Sequence, residues 1–415
     1  MEIRPILATL RRHRLTVTLL ILQVAFTCAI VSNVAFMIVQ HVQQMSLPSG
    51  LAENQLSVLS SEFTGIGEKV NVAAQRQTDL AALRAIPGVE AAAATSGSLP
   101  LNRNQNAYGT CGSLAALTRA IQAQAMNAGC VQPSFYNGGP DLLRTLGMDL
   151  VAGRDFRPDE YVKDWKTPPV AIISEALAWR FFHGQNALGK AIYPSTTLNQ
   201  PVRVVGIVRT LLRPDLRKPG ENYWTVIWPR LPVGNSVTYV LRSQPSARER
   251  VLQQARVVLL KLDPSRLVPR KDMQTYTEIR AQYFQRDHTM LGLLIASALG
   301  LLFVTALGIA GLASFWVGQR THTIGIRRAL GATRGDIVRY FQTENFLIVT
   351  GGVVLGVVLA VGLNLLLMAH YAVPRLPLWY LAVGAVALWI LGQLAVLAPA
   401  LRASRVPPVV ATRSV

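Results

Sequence analysis

Charged residues are missing from four long stretches of this 415-residue chain, residues 15–39, 290–317, 345–369 and 376–401. Each exceeds the roughly 20 apolar residues that carry a helix across about 30 Å of hydrocarbon, which excludes a wholly water-soluble protein. Acidic residues are scarce too, 22 Asp and Glu against 41 Lys and Arg, for a formal net charge of +19. In a soluble protein that imbalance suggests nucleic acid. Here the basic residues outside 39–289 follow from membrane topology and the 39–289 segment mixes both signs, so no nucleic-acid partner is expected. A mean hydropathy of +0.31 fits membrane helices diluted by a large polar domain.

Groups suited to chemistry are also few. The six histidines, His13, His41, His183, His288, His322 and His370, are scattered. They form neither an H-E-x-x-H nor a Cys/His metal spacing, so no metal site is expected. A Ser/His/Asp set converges only in space, and nothing in the sequence singles one out, so no catalytic residue is expected. Residues 184–190 match the first seven places of a phosphate-binding loop, but Ala191 lacks the hydroxyl that would bind magnesium, and the run follows a helix pattern rather than a strand. Of three cysteines, Cys28 falls in the first apolar stretch as a small packing residue. Cys111 and Cys130 are either bridged, closing a loop worth roughly 3 kcal/mol, or two free thiols. Spacing alone leaves both readings open.

What is present is arranged around the apolar stretches. The chain divides into an N-terminal segment 1–14, a first span 15–39, a domain 40–289, a second span 290–317, a loop 318–343, a third span 344–369, a short loop 370–376, a fourth span 377–401 and a tail 402–415. The Lys and Arg residues outside 39–289 are Arg4, Arg11, Arg12, Arg14, Arg320, Arg327, Arg328, Arg334, Arg339, Arg375, Arg402, Arg405 and Arg413. All but Arg375 fall on one side, which predicts cytosolic termini, a cytosolic 318–343 loop and an extracytoplasmic domain. Arg11, Arg12 and Arg14 also resemble the positive region of a cleaved signal peptide. The apolar run that follows outlasts the roughly 7–15 residues of such a signal and no A-x-A succeeds it, so an uncleaved anchor is expected.

The 40–289 segment reads as α+β. Residues 78–86 are helical and stopped by Pro87 and Gly88, with 89–95 extended; 131–136 is a strand and 141–146 a helix. Further on, 170–174 reads as a buried strand, 175–182 as a helix, 202–208, 224–228 and 237–242 as strands, and 247–262 as an amphipathic helix. One sequence does not set the strand order. Residues 276–288 run without Pro or Gly into the second span, which reads either as a stiff helical stalk or as an ordinary juxtamembrane linker.

In the 318–343 loop, residues 321–330 form a short helix ended by Gly331, a residue suited to the left-handed position after a helix. Thr333 stands three residues before Asp336, a capping-box pair that opens the next helix. Ile324, Ala329 and Leu330 offer an apolar patch ringed by Arg327, Arg328 and Arg334. Such a helix suits a groove on a cytosolic partner; the residues alone favour a solvated basic loop touching anionic lipid head groups. Gly352, Gly356 and Ala360 make a small-xxx-small stripe for close helix approach, within or between subunits. Glu344, at the start of the third span, needs a partner, for which Arg339 and Arg320 are candidates.

Several of these motifs resemble one family. Gly308-Ile-Ala-Gly-Leu312, Arg320, Ile324-Gly-Ile-Arg-Arg-Ala-Leu-Gly-Ala-Thr333, Glu344, Gly351-Gly352 and Pro399-Ala-Leu-Arg-Ala-Ser-Arg405 are similar to the permeases of the MacB and FtsX type in the ATP-binding-cassette superfamily. In the 40–289 segment, Ile86-Pro-Gly-Val89, Gly153-Arg-Asp-Phe156, Val170-Ala-Ile-Ile-Ser-Glu175, Leu188-Gly-Lys190 and Val205-Gly-Ile-Val208 resemble that family's periplasmic core. The resemblance implies four membrane helices, an α+β periplasmic domain between the first and second, and a location in the inner membrane. It implies a coupling helix docking on an ATPase supplied in trans, through Arg320, Ile324, Gly325, Ile326, Arg327, Arg328, Ala329, Leu330, Gly331, Ala332, Thr333 and Glu344. ATP and magnesium would sit on that ATPase, with no cofactor on this chain. It further implies a second permease copy, as homodimer or heterodimer, and often a periplasmic adaptor and an outer-membrane channel. The expected function is a non-enzymatic permease driving export of antibiotics, peptides or lipids. The alternatives are an FtsX-like regulator, a lipoprotein extractor, or a membrane sensor or scaffold. Thr323 and the tail residues Pro407, Pro408 and Val410 to Arg413 depart from the family's usual pattern.

Overall fold

The computed structural model describes residues 14–63, 72–104, 106–123, 129–163, 167–195, 200–217, 219–232, 234–370 and 376–405. Arg4, Arg11, Arg12, His13, Arg375, Pro407, Pro408, Val410 and Arg413 lie outside them. In chain order the elements are α1 (Arg14–Met45), β1 (Leu56–Glu62), α2 (Val72–Arg84), β2 (Val89–Thr95), β3 (Thr110–Cys111), α3 (Leu114–Gln122), β4 (Cys130–Val131), β5 (Ser134–Asn137), α4 (Leu142–Leu146), β6 (Leu150–Gly153), β7 (Val170–Ser174) and α5 (Glu175–Phe182). Then come β8 (Ala191–Pro194), β9 (Val202–Val208), β10 (Thr225–Trp228), β11 (Ser236–Ser243), α6 (Arg248–Leu262), β12 (Met273–Thr275), α7 (Tyr276–Tyr283), α8 (Gln285–Gln319), α9 (Thr321–Ala329), α10 (Arg334–His370) and α11 (Leu378–Ser404). They belong to two units, Met1–Ser46 with Arg286–Val415, and Leu47–Gln285.

The Leu47–Gln285 unit is α+β with two sheets. An antiparallel sheet runs β12-β1-β11-β2, with Val58 of β1 opposite Val240 of β11. A mixed sheet runs β4-β3-β8-β9-β7-β10-β5, with β6 added beside β9. Side chains alternate across a strand, so each sheet feeds two cores. Leu56, Val58, Ala93 and Val240 meet Tyr136, Ile172, Val208 and Ile227 in a core shared by both sheets. Leu59, Ala92, Ala94, Tyr239 and Leu241 pack instead against Leu83 of α2 and Val251, Leu252, Ala255 and Leu259 of α6. On the far side of the mixed sheet, Ala171, Ile173, Val204 and Val226 hold Leu177, Ala178 and Phe182 of α5.

Polar anchors fix the elements that carry little apolar area. Asp79 of α2 and Arg266 are both fully buried, joined by contacts of 2.9 and 3.0 Å, and the Tyr239 hydroxyl also donates to Asp79. Cys111 and Cys130, directly opposed in β3 and β4, form a disulfide. Ser113 caps α3, its hydroxyl accepting from the Ala116 amide at 3.2 Å. In the 97–104 loop, Leu101 and Arg103 take left-handed φ values of 62° and 60°, a conformation that costs non-glycine residues about 1–3 kcal/mol each.

Two sequence expectations are corrected here. The strand predicted at 131–136 is two, β4 and β5, because Pro133 has no amide to give a ladder. Of the two readings of 276–288, the single stiff helix does not hold: the backbone breaks at Phe284 (φ −91°, ψ 6°) between α7 and α8. Phe284 is 2% exposed, packed edge-on against Tyr283 with ring centres 4.9 Å apart, and Arg280 stacks over it at 5.6 Å. The Tyr283 hydroxyl donates to Asp215 and accepts from the Leu216 amide, and burial pushes this phenol up to about 12. Both rings are buried where the helix breaks.

In the other unit, α1, α8, α10 and α11 are each long and apolar enough to cross a membrane. Helix α10 lies at the centre of the core, where Val349 and Val353 meet Val24 and Cys28 of α1, and Leu388 and Val396 come from α11. Helix α8 buries only Thr305, Ile309, Ala313 and Trp316.

Candidate functional site

Between α8 and α10 the chain makes a sharp corner, and its backbone shows why. Helix α9 ends with the Ala332 amide donating to the Arg327 carbonyl at 3.0 Å and the Gly331 amide donating to that of Arg328 at 3.2 Å. This is the paired closure of a Schellman motif. It needs the left-handed backbone that Gly331 adopts at φ +100°. Two residues later the next helix is capped in both directions. The Thr333 hydroxyl accepts from the Asp336 amide at 3.2 Å while the Asp336 carboxylate accepts from the Thr333 amide at 3.0 Å. Helix, turn and helix are therefore fixed by bonds within residues 327–336.

Tertiary contacts then hold the corner against the spans. The Arg320 guanidinium reaches both oxygens of Glu344 at 2.8 and 3.1 Å, and stacks 5.9 Å over Trp316. Glu344 is 2% exposed, so this pairing satisfies a carboxylate that is otherwise costly in an apolar setting. Of the two sequence candidates, Arg320 is the partner and Arg339 is not. Arg328 donates to the Ser404 carbonyl of α11 at 3.2 Å, and the Arg327 guanidinium lies 4.9 Å over the Tyr340 ring. Ile324 and Gly325 form the buried side of α9.

What remains uncovered is the other side of the helix. Ile326 is 44% exposed and Leu330 83% exposed, with Ala329, Gly331, Thr333 and the rim of Arg327 also open. Sequence reasoning placed Ile324 in the apolar docking patch, but it is a core residue; Ile326 is the outward isoleucine. Thr323, Ile324 and Arg327 line one wall of a cavity of about 250 Å³, and Ile337, Tyr340 and Phe341 the other. Those last three residues were not singled out from sequence. Their spacing of three and four on one face of α10 was the available signal.

The small-residue stripe is used within the chain. A Cβ on Gly352 would meet Val24 Cβ at 2.6 Å, and one on Gly356 would meet Cys28 Cβ at 2.5 Å and the Ala25 carbonyl oxygen at 2.8 Å. Ala360 is fully buried and its carbonyl accepts from Asn33 Nδ2 at 3.2 Å. Helices α1 and α10 thus touch backbone to backbone. The phosphate-loop look-alike at 184–190 has a different geometry. It follows the end of α5 and leads into β8, and Lys190 Nζ turns back to Gln185 at 2.7 Å and onto the Phe182 ring at 5.0 Å. It leads into a strand rather than into the N-terminus of a helix, so it lacks the strand–loop–helix order that holds phosphate. Among the described residues no three His, Cys, Asp or Glu side chains gather as metal ligands.

Two known protein families between them match most of the chain. Residues 15–262 match the family described as MacB-like periplasmic core domain, and residues 295–408 match FtsX-like permease C-terminal. The macrolide export ATP-binding/permease protein MacB of Escherichia coli is 27% identical over 233 residues, 54% of this chain and 34% of that protein. Its counterpart in Neisseria gonorrhoeae is 26% identical over 238 residues, 56% of this chain and 35% of that protein. The chain therefore spans about a third of the length of these curated relatives. The periplasmic region of MacB from Actinobacillus actinomycetemcomitans aligns over 58% of this chain and 97% of its own, at 13% identity and a TM-score of 0.32.

Proposed function

This chain belongs to the MacB/FtsX-like permease family of ABC transporters, and from that premise we propose that it passes motion from an ATPase to its inserted domain. The observation that carries the reading is α9: a short helix closed at its C-terminal end by the Gly331 turn, with Arg320 braced on Glu344 and Arg328 on Ser404, and with Ile326 and Leu330 left bare. An apolar pair of that kind on a rigid corner suits a groove on a protein partner. The partner is an ATPase outside these 415 residues, which binds ATP and magnesium itself. A second copy of this permease faces a second ATPase subunit. The distribution of Lys and Arg supports cytoplasmic termini and an inner-membrane location, and the Cys111–Cys130 disulfide supports an oxidising compartment for the domain.

The relatives are named for macrolide export, and this chain's cargo is proposed in the same broad class of antibiotics, peptides or lipids. That cargo is moved by the domain rather than through the spans, which hold few charged residues to line a polar path. A periplasmic adaptor and an outer-membrane channel complete the route.

The test is a tagged chain purified with its ATPase. Replacing Ile326→Glu together with Leu330→Glu touches only exposed positions, so thermal stability is expected to hold while the ATPase is lost from the eluate. An ATPase retained by the double variant, or absent from the wild-type eluate, ends the coupling reading.

A further inference from the structure

We propose that the Leu47–Gln285 domain binds a small zwitterion, of amino-acid or dipeptide size, between the 97–104 loop and α7. A cavity of about 250 Å³ opens there, lying over the β1, β11 and β12 edge of the antiparallel sheet. That volume falls below the roughly 300–1,000 Å³ of sites that take drug-sized molecules, so the occupant is small.

Its lining carries one charge of each sign. These are Arg103 and Asp272, and the amides of Asn102, Gln274 and Gln282 line the same cavity. The arginine is pre-set: it donates to the Tyr283 carbonyl at 2.9 Å and lies 5.2 Å over the Tyr283 ring, which leaves further N–H groups for a carboxylate. No described residue donates a hydrogen bond to the Asp272 carboxylate, which is half-buried and suited to an ammonium. Val58, Leu99 and Ile279 supply an apolar patch for a short aliphatic side chain.

The loop is built to stay in place. Leu101 and Arg103 both hold left-handed backbone. They are pinned by Leu101 N–H to the Arg213 carbonyl, Arg103 N–H to the Pro214 carbonyl, and the Tyr276 hydroxyl to the Pro100 carbonyl at 2.7 Å. Strain of this kind persists where the surroundings enforce it, and it gathers at ligand clamps. Here it fixes the direction of Arg103.

The experiment is calorimetric titration of the full chain in lipid nanodiscs with alanyl-leucine, beside N-acetyl-alanyl-leucinamide, which lacks both charges. The free dipeptide is expected to bind saturably and the blocked form at least tenfold more weakly. Asp272→Asn and Arg103→Gly each cost tenfold or more. The glycine accepts φ near 60°, so this variant removes the cation while sparing the loop, and an unchanged melting temperature confirms it. Equal binding of the two peptides, no saturable heat from the dipeptide, or full affinity in a folded Arg103→Gly variant overturns the proposal. The site does not depend on ATPase coupling: the Ile326→Glu, Leu330→Glu variant is expected to bind the dipeptide like wild type.

Discussion

At the residue scale, Glu344 is the most exposed to consequence. It is buried in an apolar bundle and answered by one guanidinium, so Glu344→Gln leaves Arg320 without its counter-charge. Breaking a buried pair on one side typically costs 3–5 kcal/mol. Arg320 keeps 17% of its side chain exposed, so about 3 kcal/mol is expected. The loss reads as a lower melting temperature in detergent, with part of it recovered when Arg320→Leu is added; a single variant as stable as wild type shows that the pair carries no such weight. Glu344 and its two candidate partners could be named from sequence because an acid beside an apolar run is conspicuous. The choice between Arg320 and Arg339 was not legible. It depends on where the end of α8 meets the first turns of α10.

At the element scale, the helices and inner strands were the readable part. β7, α5 and β9 fall where their apolar runs put them. β1 was missed because Ser57, Ser60 and Ser61 dilute its pattern, and two covered faces remove the alternation that marks a half-exposed strand. β3 and β4, two residues each, carry too short a pattern to show. The glycine stripe was legible as a contact surface, but its target, α1, was not. A pair of substitutions tests it. Gly356→Ala forces a methyl into Cys28 and the Ala25 carbonyl, and is expected to destabilise the bundle by roughly 1–3 kcal/mol as an overpacked contact. Gly362→Ala meets nothing within 4 Å and is expected to be neutral or stabilising by up to about 1 kcal/mol, from helix propensity. Thermal unfolding of the two variants side by side decides it; equal stabilities contradict the close α1–α10 approach.

At the scale of the whole molecule, two units follow from composition, because apolar and polar segments separate cleanly along the chain. The arrangement of the sheets does not. β1 pairs with β11 and β12, from the far end of the same unit, and such long-range pairings leave no local mark. The disulfide belongs to this scale because it ties down a segment with little core of its own. Cys111 and Cys130 are 19 residues apart, and opening that loop by Cys111→Ser with Cys130→Ser is expected to cost about 3 kcal/mol on urea unfolding. Alkylation of the unfolded protein from cells should label Cys28 without reductant, and Cys111 and Cys130 as well only after reduction. Free thiols at the latter two positions in the native protein would place this segment in a reducing compartment.

The turn and cap bonds of residues 327–336 join only neighbours in the chain, so the bend of that elbow is written locally, while Arg327 and Arg328 fasten it to Tyr340 and Ser404. Exchanged as a block with the matching segment of a relative, it should keep its bend and carry its choice of engine with it.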